Sequence, residues 1–139
     1  TSTSDEVNNN LYEFDQTPFF LNDVLSSLGD IGYIFVPPDC KPSSPNYDST
    51  CKLHISFHGC KQGIDRIGNE YAAHSGFNVW AEKNNIVVLY PYASVSNTIP
   101  FNPKGCWDWW AYTNVNYGTK AGVQIRFVAS IVRELGWNM

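Results

Sequence analysis

The alternation of apolar and polar positions divides the chain into segments of distinct character. Gly32-Tyr33-Ile34-Phe35-Val36 is a β-branched and aromatic run closed by Pro37-Pro38, which predicts a strand. Leu53-His54-Ile55-Ser56-Phe57 predicts a second strand, and it ends at His58-Gly59-Cys60, where glycine permits a sharp exit. Residues 71–83 show helical spacing, with Phe77, Trp80 and Ala81 on one side, until Asn84-Asn85 stops them. Ile86-Val87-Val88-Leu89-Tyr90 is unbroken by any polar residue, as suits a strand buried on both faces. Val123, Phe127, Ile131 and Leu135 recur every fourth position with Val128 and Val132 beside them, which predicts a final helix capped by Gly136. Of the remainder, residues 1–10 are polar and Asn-rich and read as a loose arm. Residues 11–16 turn apolar and end at Pro18, and residues 22–28 read as a short helix stopped by Gly29.

The predicted order is strand, strand, helix, strand, helix. A strand–helix–strand unit around the His58-Gly59 turn implies parallel pairing with a right-handed crossover. The fold class is therefore α/β, a mostly parallel sheet with flanking helices. Only three strands are clear, and the last helix has no strand after it.

Composition narrows the function classes. The chain has 139 residues, 43% hydrophobic and 15% aromatic, with only 16% charged. That is one domain's worth of chain, and its low charge argues against disorder and against a coiled coil. A net charge of −4 lacks the basic surplus of a nucleic-acid binder. No apolar run reaches the roughly 20 residues of a membrane span, and no signal-peptide pattern opens the chain. The start at Thr1 rather than Met reads as a processed end.

Four cysteines are present, Cys40, Cys51, Cys60 and Cys106, without a CxxC pair to suggest zinc or thioredoxin chemistry. An even number among polar loops reads as disulfides, hence an extracellular or vesicular setting. Four cysteines allow three pairings, and sequence alone does not choose among them. The easy closure is Cys40 with Cys51 across a Pro- and Ser-rich loop, which leaves Cys60 with Cys106. Loop entropy gives the short bridge roughly 3 kcal/mol and the long one about 4 kcal/mol.

The chemistry concentrates at the His58-Gly59-Cys60 turn. A tight turn after a strand can aim a backbone N–H at a developing oxyanion, and Cys60 supplies the candidate donor. A hydrolase built this way needs a serine elbow of the Gly-x-Ser-x-Gly type, and none occurs in these residues. Ser75, in His74-Ser75-Gly76, lies too early in the chain to fill that role. His54 and His58 alternate on one strand face but read as satisfied sheet histidines rather than metal ligands, and His74 as a surface or cap residue. Lys61 and Arg66 read as solvated charges or holders of loop carbonyls. Asp108 reads as a local hydrogen-bond anchor, and Trp107, Trp109 and Trp110 as core or rim aromatics.

Several segments together carry a family resemblance. They are Asn10-Leu11-Tyr12-Glu13-Phe14-Asp15-Gln16, Leu53 through Cys60, Ser75-Gly76-Phe77-Asn78 with Trp80-Ala81, and Asn84 through Pro91. To these are added Asn102-Pro103-Lys104-Gly105-Cys106-Trp107-Asp108-Trp109-Trp110 and Gly122-Val123-Gln124. In this order the chain resembles the C-terminal half of fungal-type poly(3-hydroxybutyrate) depolymerases, which are circularly permuted α/β-hydrolases. The Gly-Cys-Trp-Asp-Trp-Trp run is its most specific part.

The resemblance implies that the serine, acid and histidine of the triad lie upstream of residue 1 or on a companion chain. It implies that Cys60 donates its backbone N–H to an oxyanion hole and pairs with Cys106. It implies further that Trp107 lines a crevice for a hydrophobic polyester or other ester. No cofactor, metal, nucleic acid or membrane span enters this reading. Residues 11–139 would be the C-terminal half of one hydrolase domain, secreted and dependent on the missing half for serine-esterase activity. The rival expectation is a catalytically inactive extracellular structural or binding module on the same scaffold.

Overall fold

The computed structural model describes residues 3–21 and 25–137. The four strands β1 (Leu11–Asp15), β2 (Ile31–Phe35), β3 (Lys52–Ile55) and β4 (Ile86–Tyr90) form one sheet in the order β1-β2-β4-β3. The expectation of a mostly parallel sheet is corrected. β1 runs antiparallel to β2 and β2 antiparallel to β4, and only β3 and β4 are parallel. The reason lies in the connections: among the described residues, α-helices join strands only between β3 and β4, the kind of connection that parallel neighbours require. β1, which the sequence showed only as an apolar stretch, takes up five register pairs with β2, from Leu11↔Phe35 to Asp15↔Ile31.

The helical stretch between β3 and β4 is broken into α2 (Ile64–Ile67), α3 (Glu70–His74) and α4 (Phe77–Lys83). The single helix expected over residues 71–83 is interrupted at Gly76, whose φ of +90° lies in the left-handed region open to glycine. The final helix forms as expected, as α5 (Val123–Glu134). Its end is a Schellman cap: Gly136 has φ +93°, its N–H reaches the Arg133 carbonyl at 3.0 Å, and the Trp137 N–H reaches Val132 at 3.1 Å.

The first ten residues are not a loose arm from Thr3 onward. A capping box, Thr3 N–H to Glu6 Oε2 at 2.9 Å and Glu6 N–H to Thr3 Oγ1 at 3.4 Å, starts a short helix over Ser4–Val7. We label it α1. Val7, 1% exposed, then enters the core, and Asn8 donates to the Ala73 carbonyl at 2.9 Å. Of the short helix expected over residues 22–28, residues 22–24 lie outside the described residues. The rest is not helical: Ser27 has φ +54° and Leu28 bridges to Ala93.

β4 divides the core, as its unbroken apolar run predicts. Val88 and Tyr90 join Val7, Phe35, Ala72 and Ala81 on the face covered by α1, α3 and α4. Leu89 turns the other way, into Leu28, Phe127, Val128, Ile131 and Val132 under α5. Among the described residues β3 pairs with β4 alone, so one of its sides is an edge of the sheet. The candidate turn leaves the sheet at the C-terminal end of this edge strand.

Candidate active site

The turn after β3 is pinned at nearly every peptide. Tyr71 Oη donates to the Phe57 carbonyl at 2.9 Å, and the buried Ser56 hydroxyl donates to Tyr71 Oη at 2.8 Å. The Gly59 N–H donates to Gln62 Oε1 at 2.6 Å, and the Gln62 N–H returns to the Gly59 carbonyl at 3.2 Å. Lys61, at φ +63°, donates its N–H to the Lys104 carbonyl at 2.7 Å. Arg66 reaches the Pro103 carbonyl at 2.9 Å, so of the two basic residues read as possible loop holders, Arg66 does this through its side chain. The Cys60–Cys106 disulfide ties the turn to the aromatic loop, and Cys40–Cys51 closes the Pro-rich loop. Among the described residues, no group accepts the N–H of Cys60, and Cys60 is exposed.

His58 lies inside this turn, 3% exposed. The Ala93 N–H donates to its Nε2 at 3.1 Å, so the ring proton is on Nδ1, which faces the Gly59 carbonyl at 2.8 Å. The ring stacks on Tyr92 at 5.0 Å between centroids. Burial holds the imidazole below its ordinary value of 6.5. The folded state therefore binds fewer protons than the unfolded chain. The contribution is complete above about pH 6.5 and is lost as pH falls through the lower folded value. We expect the denaturation midpoint to fall between pH 7.5 and pH 5. A flat profile over that range would contradict this. The lowered carboxyls of Asp15 and Asp48, each hydrogen-bonded to a threonine two residues on, act below about pH 4 and do not overlap it.

The aromatic loop hangs from two buried amides. Asn102, fully buried, accepts the Cys106 N–H at 3.0 Å and donates to the Cys106 carbonyl at 2.8 Å and to Ser27 Oγ at 3.0 Å. Gln124, on α5, accepts the Asp108 N–H at 2.7 Å and donates to Tyr112 Oη at 2.6 Å. Tyr112 in turn donates to the Cys106 carbonyl at 2.6 Å, and burial pushes its hydroxyl up to about 12. Asp108 is the local anchor expected of it, accepting the N–H groups of Trp110, Tyr112 and Thr113 at 3.2, 3.0 and 2.9 Å.

Trp107 is half-buried, edge-on to Phe57 at 5.1 Å. Its indole N–H is buried and has no acceptor among the described residues. It lines an apolar groove of about 530 Å³ with Ile55, Phe57, Trp109 and Val128. A second groove of about 600 Å³ contains Cys60, Lys61, Phe101, Cys106 and Trp110. Trp109, 68% exposed, lines both grooves. The disulfide therefore brings the Cys60 turn beside the loop of Trp107, while their side chains face two adjoining grooves.

The other candidates lie apart. His54 packs on Phe77 at 5.2 Å, Ser75 caps α3 in an exposed position, and His74 sits 3.5 Å from the Glu70 carboxylate. Among the described residues, no group of His, Cys, Asp or Glu is arranged to hold a metal ion. Gln62, Asn102 and Gln124 are functional supports that sequence reading did not single out for any role. Gln62 acts on its near neighbour Gly59, whereas Asn102 and Gln124 also reach Ser27 and Ser26, 75 and 98 residues away, and those distant partners leave no local pattern.

No protein-family model matches the chain. Its sequence is 38% identical over 123 residues to a poly(3-hydroxybutyrate) depolymerase of Delftia acidovorans, a match covering 88% of this chain and 23% of that protein. It is 34% identical over 118 residues to a polyhydroxybutyrate depolymerase of Talaromyces funiculosus, covering 79% of this chain and 34% of that protein. The chain is homologous to the poly(3-hydroxybutyrate) depolymerases. The solved depolymerases agree in fold. One, complexed with an R3HB trimer, superposes at a TM-score of 0.75 with 30% identity, over 89% of this chain and 39% of that one. The depolymerase of Penicillium funiculosum superposes at 0.75 with 31% identity, over 88% and 39%. The chain thus spans between about a quarter and two-fifths of the length of these depolymerases.

Proposed function

We propose that this chain is the part of a secreted depolymerase-like serine esterase that supplies the oxyanion donor and one aromatic wall of the substrate crevice. The observation that carries this reading is the Cys60 N–H. It has no acceptor among the described residues and Cys60 is an exposed residue, while the peptides around it are fixed by hydrogen bonds and a disulfide. A donor held in place before reaction costs no reorganisation when negative charge develops on a substrate oxygen. The unpaired Trp107 indole N–H and the apolar groove beside it support a crevice for a polyester chain.

The serine, histidine and acid lie in the remaining half of the domain, in an upstream segment of a permuted chain or on a companion chain. The open edge of β3 offers that half a strand to pair with. The serine hydroxyl adds to the ester carbonyl as its proton passes to the histidine, and the Cys60 N–H holds the oxyanion. Collapse expels the alcohol, which takes that proton, and water then releases the acid by the same path. Two disulfides support a secreted protein.

The test uses native material containing this chain, labelled with a fluorophosphonate and resolved by mass. A labelled serine on sequence outside residues 1–139, with ester hydrolysis lost on labelling, is the expected result. An intact assembly without a labelled serine would overturn the esterase reading in favour of an inactive module.

A further inference from the structure

The oxyanion reading leaves open what decides the direction of the Cys60 N–H, and the buried histidine beside it answers this. We infer that His58 is a positioning residue for that N–H, acting through the Gly59–Cys60 peptide. The inference rests on the role proposed for Cys60. A trans peptide is planar, so its C=O and N–H point to opposite sides. The Gly59–Cys60 bond is trans. Whatever holds the Gly59 carbonyl on one side of the turn therefore presents the Cys60 N–H on the other.

Two donors hold that carbonyl: His58 Nδ1–H at 2.8 Å and the Gln62 N–H at 3.2 Å. The imidazole is the shorter contact and the better fixed. Its Nε2 is the acceptor of the Ala93 N–H, so the proton is committed to Nδ1 and the ring cannot exchange roles without leaving a buried backbone N–H unpaired. Tyr92 stacks on one face of the ring, and Tyr71 and Trp107 lie 6.2 and 5.8 Å away between centroids. On the far side of the peptide, the disulfide fixes the Cys60 side chain and Lys104 fixes the Lys61 N–H. A flipped peptide would lose both carbonyl contacts and turn a lone pair, rather than a donor, toward the substrate oxygen.

The test compares His58→Asn and His58→Gln in the assembled esterase. An asparagine amide nitrogen falls near the place of Nδ1 and keeps a donor for the Gly59 carbonyl. A glutamine reaches the place of Nε2 and keeps the Ala93 contact instead. The expected result is a split: His58→Asn retains kcat within about tenfold, while His58→Gln loses on the order of 10²–10³ in kcat at nearly constant KM, the cost of one oxyanion donor. Equal kcat losses in the two variants, tracking their loss of thermal stability, would overturn the inference.

A second measurement is independent of catalysis. Long-range proton–nitrogen correlation on labelled protein should find His58 protonated at Nδ1 and bare at Nε2. The opposite tautomer overturns the inference even in an active enzyme. The expected tautomer in a protein that no fluorophosphonate labels supports His58 as the anchor of the turn and overturns the esterase reading alone.

Discussion

Replacing Cys60 and Cys106 together by alanine is expected to lower the unfolding free energy by about 4 kcal/mol. The Cys60–Cys106 bridge closes a span of 46 residues, and that of Cys40–Cys51 a span of 11. The longer loop removes more freedom from the unfolded chain, so the Cys40/Cys51 double alanine should cost only about 3 kcal/mol. A second difference separates the two variants. Cys106 is buried, and both its N–H and its carbonyl are held by Asn102. Releasing it frees the loop that carries Trp107, so the tryptophan emission of the folded state should shift in the first variant and not in the second. Denaturant unfolding followed by fluorescence reads both quantities. A larger stability loss from the short bridge, or an unshifted emission from the long one, would show that the aromatic loop is held without the disulfide.

Phe127→Ala is expected to cost about 3–5 kcal/mol, the range for deleting a large buried aromatic. Phe127 is fully buried in the middle of α5, among Leu28, Leu89, Val128, Ile131 and Val132, with the Phe20 ring 5.9 Å away. The elements around it belong to strand, loop and helix, so the cavity has little freedom to collapse. The same helix carries Gln124, which holds Asp108 and Tyr112, so the loss should also loosen the groove beside Trp107. Equilibrium denaturation of the variant against the parent decides it. A loss below about 1 kcal/mol would mean that α5 contributes little to holding the sheet together.

The legible parts of the fold were those with a strong local period or a strong local stop. Ile86–Tyr90 announced a strand buried on both faces because no polar residue interrupts it, and Val88 and Leu89 do face opposite core clusters. The repeat through Val123, Phe127 and Ile131 followed by Gly136 announced α5 and its cap. The illegible parts were those decided by contact. The first residues look like an arm because they are polar, yet a single apolar side chain, Val7, docks them onto the sheet. β1 is short and its pattern is ambiguous, and only its pairing with β2 makes it a strand.

The same division applies to the site. The local chemistry of the turn, a histidine, a glycine and a cysteine at the end of a strand, was determined by the sequence, as was the cluster of tryptophans after Cys106. The helix-linked parallel pairing of β3 and β4 followed from element order alone. Tertiary structure decided the rest: the antiparallel half of the sheet, the choice among three cysteine pairings, the tautomer of His58 and the anchoring of the aromatic loop by Asn102 and Gln124. The physical reason is range. Hydrophobic period, turn residues and caps act within a few neighbours and can be read along the chain. A buried polar group must be satisfied by whatever the fold brings to it, and here the partners come from dozens of residues away.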